Sequence, residues 1–349
     1  FPPVILRVLT PLVVLLALGG TLVAKPNIVV IMTDDQGYGD LGSTGNPVLR
    51  TPHLDLMAAR SASMETFYVS PVCSPTRACL LTGRYNHRTG VVDTFKGRSM
   101  MHPDEVTLPE VLRKHGYTTG IFGKWHLGDC YPMRANDQGF DESLVHRGGG
   151  LAQPSEPLEN GRRYTNPILF RNGEKTLTGG YCTDVYFKAA LEFIDQAHEA
   201  GKPFFVYLPT NAPHGPLYVE EKYSDQYRGD TLIPSARFYG MITSIDENIG
   251  MLRAYLKEEQ LDRNTIFIFM TDNGSSGGCT LDANRFVNRG FNAGMRGMKG
   301  DYYDGGHRVP FFVRWPAGGL DGAHDIDEMA LHIDLLPTFV DLCLSLIHI

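Results

Sequence analysis

Three short apolar runs constrain the fold of this chain more than any other feature of its sequence. Each run is rich in β-branched or aromatic residues, and such runs are typical of strands buried on both faces of a parallel sheet. The runs are NIVVIM (27–32), PFFVYL (203–208) and TIFIFM (265–270). Helices are predicted among them at about 53–60, 107–115, 184–199 and 235–260. This alternation predicts an α/β fold with a mostly parallel central sheet flanked by helices.

Polar residues follow each run at its carboxyl end. Asp34 and Asp35 come after the first run, and Asp272 and Asn273 come after the third. His214 lies a few residues beyond the second run, in a turn made rigid by proline, where it could donate or accept a proton. Ligands of open α/β sheets bind outside the carboxyl ends of the strands. We therefore expect these side chains to converge on one site.

Three carboxylates gathered at one point would repel one another unless a cation lay between them. Together with an amide oxygen they form an all-oxygen ligand set, which selects a hard ion such as Ca²⁺ or Mg²⁺. The sequence thus favours a divalent metal site built from Asp34, Asp35, Asp272 and Asn273. The alternative is that each acidic pair caps a following turn or helix, as Asp and Asn often do.

The stretch CSPTR places a cysteine where a helix is expected to begin. Ser74 is a plausible N-cap and Pro75 fits the first helical position, so Cys73 is predicted just outside the helix. Free backbone N–H groups at a helix N-terminus favour negative charge. Arg77 lies about one turn further along and can reach back toward the same point. The helix N-terminus and Arg77 together favour binding of an anion beside Cys73.

Two other segments carry positive charge. GKWHLG looks like the edge of a strand, which would put Lys124 and His126 on one face and Trp125 on the other. Lys299 lies between glycines that allow close backbone approach. Taken alone, His126 would more often be a structural histidine and Lys299 a solvated loop charge.

Charge and hydropathy bear on partners and location. The formal charge is -7 and basic residues never run longer than two, which argues against non-specific binding of nucleic acid. Residues 8–24 are uncharged and follow Arg7, which predicts a signal peptide over 1–24 and export to a periplasm, a lumen or the exterior. A membrane anchor is the alternative, but the run is shorter than the ~20 residues that a spanning helix needs.

Two long segments lack clear periodicity and are predicted to be loops over the strand ends. They are residues 128–180 and 274–298. An apparent helix follows at 332–343, and the chain stops soon afterwards, so we expect a domain over 25–349 that is cut short at its C-terminus.

Several of these motifs resemble one protein family. CSPTR followed by ACLLTGR (73–84) is similar to the signature of the formylglycine-dependent sulfatases, Cys-x-Pro-x-Arg with a Leu-Thr-Gly-Arg-like tail. Six further blocks resemble the same family in its order. They are NIVVIMTDDQGYGDLG (27–42), TPHLDLMA (51–58), YTTGIFGKWHLG (117–128), TNAPHGP (210–216), FIFMTDNG (267–274) and MRGMKGDYYDGGHRVPFFVRWPAG (295–318).

The resemblance implies a fold of the alkaline phosphatase superfamily and a modified cysteine. In such proteins the residue at Cys73 is oxidised by a maturation enzyme to formylglycine (3-oxoalanine), an aldehyde that forms a hydrate. The resemblance further implies that Asp34, Asp35, Asp272 and Asn273 bind Ca²⁺, or Mg²⁺ in its place, together with the residue derived from Cys73.

Roles for the remaining site residues also follow from the resemblance alone. Arg77 would hold the modified residue, and Lys124, His214 and Lys299 would grip the sulfate. His214 would protonate the departing alcohol, and His126 is the candidate base that restores the aldehyde. The implied activity is hydrolysis of an aryl or carbohydrate sulfate ester.

The sequence also departs from the family pattern. Many relatives place a serine that touches the sulfate after a Gly-Phe pair, whereas Ser143 follows Gly139-Phe140 too closely. The smaller C-terminal subdomain usual in the family is expected to be missing after residue 349. Two other functions stay open: a phosphodiesterase or phosphonate monoester hydrolase of the same superfamily, and a non-catalytic anion-binding protein in which Cys73 is unmodified.

Overall fold

A computed structural model describes residues 25–151, 153–161 and 164–344. The predicted signal peptide at 1–24 lies outside the described residues. Within those ranges no helix combines the length and the apolar character needed to cross a membrane.

Strands and helices alternate along the chain, as predicted. In the described part of the chain the strands are β1 (Asn27–Thr33), β2 (Ala62–Met64), β3 (Phe67–Tyr68), β4 (Thr118–Lys124), β5 (Glu142–His146), β6 (Ile168–Arg171), β7 (Glu174–Leu177), β8 (Phe204–Pro209), β9 (Thr265–Thr271), β10 (Cys279–Leu281), β11 (Val287–Gly290), β12 (Phe311–Arg314), β13 (His324–Ile326) and β14 (Ala330–Leu331). The helices are α1 (Pro52–Ala58), α2 (Cys73–Thr82), α3 (Leu108–Lys114), α4 (Cys182–Glu199), α5 (Glu221–Ser224), α6 (Ala236–Glu258), α7 (Asp304–His307) and α8 (Leu335–Leu344).

The central sheet has ten strands in the order β13-β2-β12-β9-β1-β8-β4-β5-β6-β7. Its middle, from β9 to β5, is parallel, and the pairs β12–β9, β5–β6 and β6–β7 are antiparallel. The three apolar runs form β9, β1 and β8, which lie side by side in register: Val29 pairs with Val206 on one side and with Phe267 on the other. Their carboxyl ends therefore meet at one edge, as predicted.

Alternate residues of β1 pack into opposite layers. Val29 and Ile31 belong to the core beneath α4 and α6, whereas Ile28 and Val30 face the core beneath α2, α3 and α8. Because both faces are covered, the strand is apolar throughout rather than alternating. The apolar face of α6 is buried as its spacing predicts, from Met241 to Leu256.

The prediction that 128–180 and 274–298 are loops is wrong in part. The first segment contains β5 and the hairpin β6–β7, and the second contains the hairpin β10–β11. Asn172 and Gly173 connect β6 to β7 with φ of 50° and 92°. Two consecutive residues at positive φ make the tight turn that Asn-Gly favours, so this hairpin did carry a sequence signal.

The predicted start of α2 is also wrong by one or two residues. The helix begins at Cys73 itself, and its N-cap is the extended Val72, which makes no side-chain cap hydrogen bond. Instead, the Thr76 hydroxyl bridges the first turn to the preceding chain, because it donates to Ser70 O (3.1 Å) and accepts from Ser70 N (3.1 Å). Pro75 is tolerated within this first turn because its missing N–H has no intrahelical partner there.

Candidate active site

The four predicted metal-binding residues converge at the carboxyl edge of the sheet. Asp34 and Asp35 follow β1, Asp272 and Asn273 follow the adjacent β9, and all four are buried. The backbone N–H of Asp35 donates to Asp272 Oδ1 (3.0 Å), and Asn273 Nδ2 donates to Asp35 Oδ1 (3.0 Å). Asp35 has a φ of 66°, which turns the chain sharply after the strand. The convergence expected from the strand ends is therefore present.

Cys73 lies against this acidic cluster. Ligand atoms of Asp34, Asp35 and Cys73 all lie within 4.8 Å of one another. The ammonium group of Lys299 is 3.5 Å from Cys73 Sγ. Burial raises the pKa of the Cys73 thiol to about 11 even though lysines lie nearby. The side chain is thus a neutral thiol at neutral pH, which is a poor nucleophile.

Three cations balance the three carboxylates: Arg77 and Lys124 are fully buried, and Lys299 is partly exposed. Arg77 Nη2 donates to Asp272 Oδ2 (2.7 Å), and Lys124 Nζ donates to Asp34 Oδ2 (2.7 Å). Lys299 forms an ion pair with Asp35. Burial alone would raise the pKa of Asp35, but Lys299 and the other nearby positive charges hold it well below its usual range. Because each carboxylate has a cationic partner, the desolvation cost of placing these charges in the protein interior is offset.

The cluster also fits a hard divalent cation. Asp34 Oδ1 and Asn273 Oδ1 are fully buried and have no hydrogen-bond partner among the described residues. A buried oxygen without a partner carries a desolvation cost that a bound cation would offset. Carboxylate and amide oxygens are the ligands that Ca²⁺ and Mg²⁺ prefer. Asp272 fits this set too, although its two oxygens already accept hydrogen bonds from Asp35 N and Arg77.

His214 faces the cluster from the turn after β8. Its Nε2 lies 3.9 Å from Asp35 Oδ2, and its Nδ1 lies 2.6 Å from Gly215 O. Since a carbonyl oxygen can only accept, Nδ1 carries the proton and Nε2 is left to face the site. Burial lowers the pKa of His214 to about 4. The Tyr164 hydroxyl donates to Gly215 O (2.8 Å) and fixes this turn.

His126 is placed by a turn rather than by a strand. β4 ends at Lys124, and His126 has a φ of 57°. The prediction that His126 lies on the strand, on the same face as Lys124, is therefore wrong. Its Nε2 lies 2.9 Å from Thr94 O, while its buried Nδ1 has no hydrogen-bond partner within the described ranges. Burial, followed by the charges of Lys124 and Arg77, lowers the pKa of His126 well below its ordinary value.

A cavity of about 420 Å³ opens beside His126. Its walls include Thr94, Lys96 and Arg147, together with Gly148 and Gly149. The cavity gives space for an organic group beside His126. Ser143 is not part of this lining, and its hydroxyl donates to Asn136 Oδ1 (2.6 Å) in the turn before β5.

Sequence reasoning missed two buried residues behind the site. His146 ends β5, and Glu156 lies in the segment between β5 and β6 that was predicted to be a loop. His146 Nδ1 lies 3.8 Å from Glu156 Oε1, and both side chains are almost fully buried. The short stretch Ser143-Leu144-Val145 before His146 is consistent with a short buried strand, and it was a signal for β5 in the sequence.

Fold and site together define a class. The sheet is mostly parallel and covered by helices, and buried carboxylates and cations lie at its carboxyl edge beside a helix N-terminus. This is the alkaline phosphatase-like architecture, and solved structures of that fold match this chain. The chain belongs to the sulfatase family, since the family model described as Sulfatase matches residues 26–344. The family and the fold expected from the sequence motifs are therefore confirmed.

Curated relatives support the same assignment. N-acetylgalactosamine-6-sulfatase of Mus musculus is 34% identical over 340 residues, which cover 91% of this chain and 62% of that protein. Arylsulfatase A of Homo sapiens is 33% identical over 353 residues, which cover 95% of this chain and 66% of that protein. The chain thus spans about 62% of the length of the first of these relatives.

Two solved structures illustrate the range of the fold. The crystal structure of Ps i-CgsB in complex with k-i-k-neocarrahexaose is 30% identical with a TM-score of 0.80, and the match covers 91% of this chain and 72% of that one. The phosphonate monoester hydrolase of Agrobacterium radiobacter is 21% identical with a TM-score of 0.62, covering 91% of this chain and 73% of that one. The second likeness concerns the fold alone.

Proposed function

We propose that this protein hydrolyses sulfate esters of aryl or carbohydrate alcohols, with formylglycine derived from Cys73 at the centre of its site. One observation carries the proposal: Cys73 begins α2 within 4.8 Å of the ligand atoms of Asp34 and Asp35 and 3.5 Å from the Lys299 ammonium. Membership of the sulfatase family supports the reaction class. The printed names of the curated relatives, N-acetylgalactosamine-6-sulfatase and arylsulfatase A, support the two substrate classes.

Cys73 is better suited as a precursor than as a thiolate nucleophile. Burial raises its pKa to about 11, so the reactive thiolate is scarce at neutral pH. Conversion to formylglycine breaks the C–S bond and one C–H bond of the side chain and forms a C=O bond. The sulfur leaves as sulfide, and a separate maturation enzyme supplies the oxidant for this two-electron step. The hydrate of this aldehyde supplies an oxygen nucleophile in place of sulfur.

Asp34, Asp35, Asp272 and Asn273 would hold the divalent cation, Ca²⁺ or Mg²⁺. The support is their convergence and the two buried oxygens, one on Asp34 and one on Asn273, that lack hydrogen-bond partners among the described residues. A bound divalent cation supplies positive charge for an anionic ester and lowers the pKa of a hydroxyl group beside it.

The chain's own cations would bind and orient the sulfate. Lys124 and Lys299 have their ammonium groups at the cluster, and both can donate hydrogen bonds to sulfate oxygens. Arg77 is held by Asp272 and also donates to Lys124 O (3.1 Å), so it fixes the start of α2 to the end of β4. These contacts favour one orientation of the ester.

Two histidines would move protons. His214 presents Nε2 to the cluster, and an anionic ester beside it favours the protonated ring, which can then give its proton to the departing alcohol. His126 has a buried Nδ1 without a hydrogen-bond partner in the described part of the chain, which makes it the candidate base that restores the aldehyde. The cavity beside His126 would receive the alcohol portion of the substrate.

The test compares sulfate with phosphorus esters on protein produced together with a maturation enzyme. We expect hydrolysis of 4-nitrophenyl sulfate well above that of bis(4-nitrophenyl) phosphate, a phosphodiester, and of a phenylphosphonate monoester. The peptide that contains Cys73 should be about 18 Da lighter than its thiol form, which reports the change of oxidation state. Cys73→Ala should abolish turnover, whereas Cys79→Ala, on the same helix and equally buried, should retain it.

Two outcomes would overturn the proposal. Preference for the phosphorus esters would make the protein a phosphodiesterase or phosphonate hydrolase. An unmodified thiol with no turnover, despite a maturation enzyme active on a control peptide, would make it an anion-binding protein.

We further propose that the protein is exported, with 1–24 as a leader and 25–349 as the catalytic domain. The support is the uncharged run at 8–24 and the position of the family match, which begins at residue 26. N-terminal sequencing of the secreted protein should find its first residue near Lys25. A mature protein that retains residues 1–24 would contradict this assignment.

A further inference from the structure

Three glycines form a wall between the two histidines of the site. This glycine wall, Gly148–Gly150, directly follows β5 and Arg147. An added Cβ at Gly149 would meet Gln153 Oε1 and would lie 2.9 Å from Cε1 of His126, and one at Gly150 would lie 3.4 Å from Nδ1 of His214. The backbone at Gly149 thus lies against the His126 ring, and only a residue without a side chain fits there.

Glu156 holds this wall by its backbone. Its Oε1 accepts hydrogen bonds from the N–H groups of Arg147 and Gly148, each with an N–O distance of 2.5 Å. The carbonyl of Arg147 in turn accepts a hydrogen bond from the backbone N–H of His126 (3.2 Å). Arg147 is therefore connected on one side to the Glu156 carboxylate and on the other to the residue proposed as a base.

The Glu156 carboxylate accepts these backbone N–H groups and does not form an ion pair with the Arg147 guanidinium. The guanidinium of Arg147 lies 3.5 Å from the centre of the Phe170 ring and donates to Gly173 O (3.0 Å). Glu156 Oε2 is buried and has no hydrogen-bond partner among the described residues. The contacts of Glu156 Oε1 are thus directed at the backbone that borders His126.

His146 completes the layer behind the wall. Its Nδ1 lies 3.8 Å from Glu156 Oε1, and neither ring nitrogen has a hydrogen-bond partner within the described ranges. Its carbonyl accepts the backbone N–H of Trp125 (3.0 Å), one residue before the Arg147–His126 contact. The pairing of β4 with β5 therefore continues beyond both strands up to His126, and Glu156 fixes the point where it ends.

We propose that Glu156 is a positioning residue for sulfate ester hydrolysis, which sets the His126 ring by holding Arg147 and the glycine wall. The inference rests on the proposed function for its effect on turnover. The proposed sulfate contacts have further partners that do not involve Glu156: Lys124 pairs with Asp34, Lys299 pairs with Asp35, and Tyr164 fixes the turn that carries His214. Loss of the carboxylate should therefore slow the chemical steps without weakening substrate binding to a similar degree.

The kinetic test uses the matured, full-length protein. Glu156→Ala should lower kcat about 10- to 100-fold, the range expected when a positioned group is displaced by up to about 1 Å. KM should change less than kcat, although Arg147, Gly148 and Gly149 also line the cavity proposed for the alcohol. Glu156→Gln keeps an oxygen that can accept both N–H groups, and it should recover most of the loss. Glu159→Ala removes an exposed carboxylate from the same segment and is the matched control.

A second variant tests the same contact from the other side. The Cβ added by Gly149→Ala would meet the Gln153 side chain and also His126 Cε1, so both have to move, and we expect the shift of the His126 ring to reproduce the kcat loss. Gly179→Ala, whose added Cβ meets nothing within 4 Å, should not lower kcat. Gly149→Ala keeps the proposal testable if Glu156→Ala fails to fold.

A readout that does not depend on activity comes from the histidine ring resonances in ¹H–¹⁵N spectra, with His126 assigned by its absence in His126→Gln. We expect Glu156→Ala and Gly149→Ala to move the His126 ring signals, and both control variants to leave them unchanged. Unchanged His126 signals in both test variants, or a rise in KM at constant kcat, would overturn the proposal. If the wild-type protein hydrolyses no sulfate ester, the proposed function fails, while the spectra still decide whether Glu156 positions His126.

Discussion

Arg77 and Asp272 are joined by a buried hydrogen-bonded ion pair of 2.7 Å, although they lie 195 residues apart in the sequence. Arg77 belongs to the helix that begins with Cys73, and Asp272 follows the strand next to β1. The contact therefore fixes the position of the cysteine relative to the acidic cluster.

Breaking this pair should cost much more than breaking an exposed one. We expect Arg77→Met to lower the free energy of unfolding by about 3–5 kcal/mol, because it leaves a buried carboxylate without its partner. Arg228→Met removes an arginine whose side chain is 68% exposed and which pairs with Asp225, itself 50% exposed, and it should cost less than about 1 kcal/mol. Urea denaturation of both variants measures the difference. Equal effects would mean that Arg77 does not offset a buried charge.

Removal of divalent metal should lower the unfolding temperature. A cation that binds only the folded state at 100 times its dissociation constant stabilises it by about 2.7 kcal/mol. Differential scanning calorimetry in chelator and in excess Ca²⁺ measures this shift. Asp34→Asn should reduce the shift, since it weakens one ligand of the cluster, whereas Glu192→Gln on the exposed face of α4 should not. A shift of the same size in Asp34→Asn would place the cation elsewhere.

The loss of His214 should depend on the leaving group. Aryl alcohols depart without much help from an acid, whereas sugar alcohols need a proton. His214→Ala should therefore lower kcat/KM for a sulfated sugar by about 10²–10⁴-fold and for 4-nitrophenyl sulfate much less. His198→Ala, an exposed histidine near the end of α4, controls for the substitution. Equal losses on both substrates would indicate that His214 binds the sulfate and does not protonate the alcohol.

Acid should destabilise the protein in part through His332. Burial lowers the pKa of this residue to about 3 in the folded chain, against about 6.5 when unfolded. Between these pH values the unfolded chain binds a proton that the folded chain does not. The free energy of unfolding should thus fall by about 1.4 kcal/mol for each unit of decreasing pH on account of this one group.

Substitution isolates that contribution. His332→Gln keeps a side chain that can bond Ser70 Oγ, which lies 3.3 Å from His332 Nε2, but it removes the titration. We expect its stability to depend on pH less steeply than that of the wild type below pH 6.5, by about one proton. His198→Gln should keep the wild-type slope, and an unchanged slope in His332→Gln would contradict the assignment.

The central sheet and the acidic cluster were predictable because they follow from short-range patterns. Val29 and its neighbours show that β1 is buried on both faces, and Asp34 and Asp35 come directly after it. Parallel pairing then brings Asp272 to the same edge without further assumptions. The relevant information lies within about ten residues of each strand end.

The remaining features depend on contacts that no local pattern encodes. His126 adopts a φ of 57° beside the glycine wall, and Glu156 binds backbone N–H groups in a segment without periodicity. The β6–β7 hairpin is different, because Asn172-Gly173 was a readable turn signal between two short strands. Sequence reasoning could have found that hairpin but not the role of Glu156, which exists only once β5 lies beside β4.

The burial of Cys73 determines whether its proposed oxidation can come before or after folding. Its side chain is only 2% exposed, beneath Lys299 and at the start of a helix already fixed to the sheet by Arg77. A macromolecular catalyst cannot reach an atom so enclosed, so the proposed oxidation of this cysteine would have to happen before the chain folds. Protein that closes first should keep its thiol permanently, and offering the maturation enzyme to native, unoxidised protein should leave its mass unchanged.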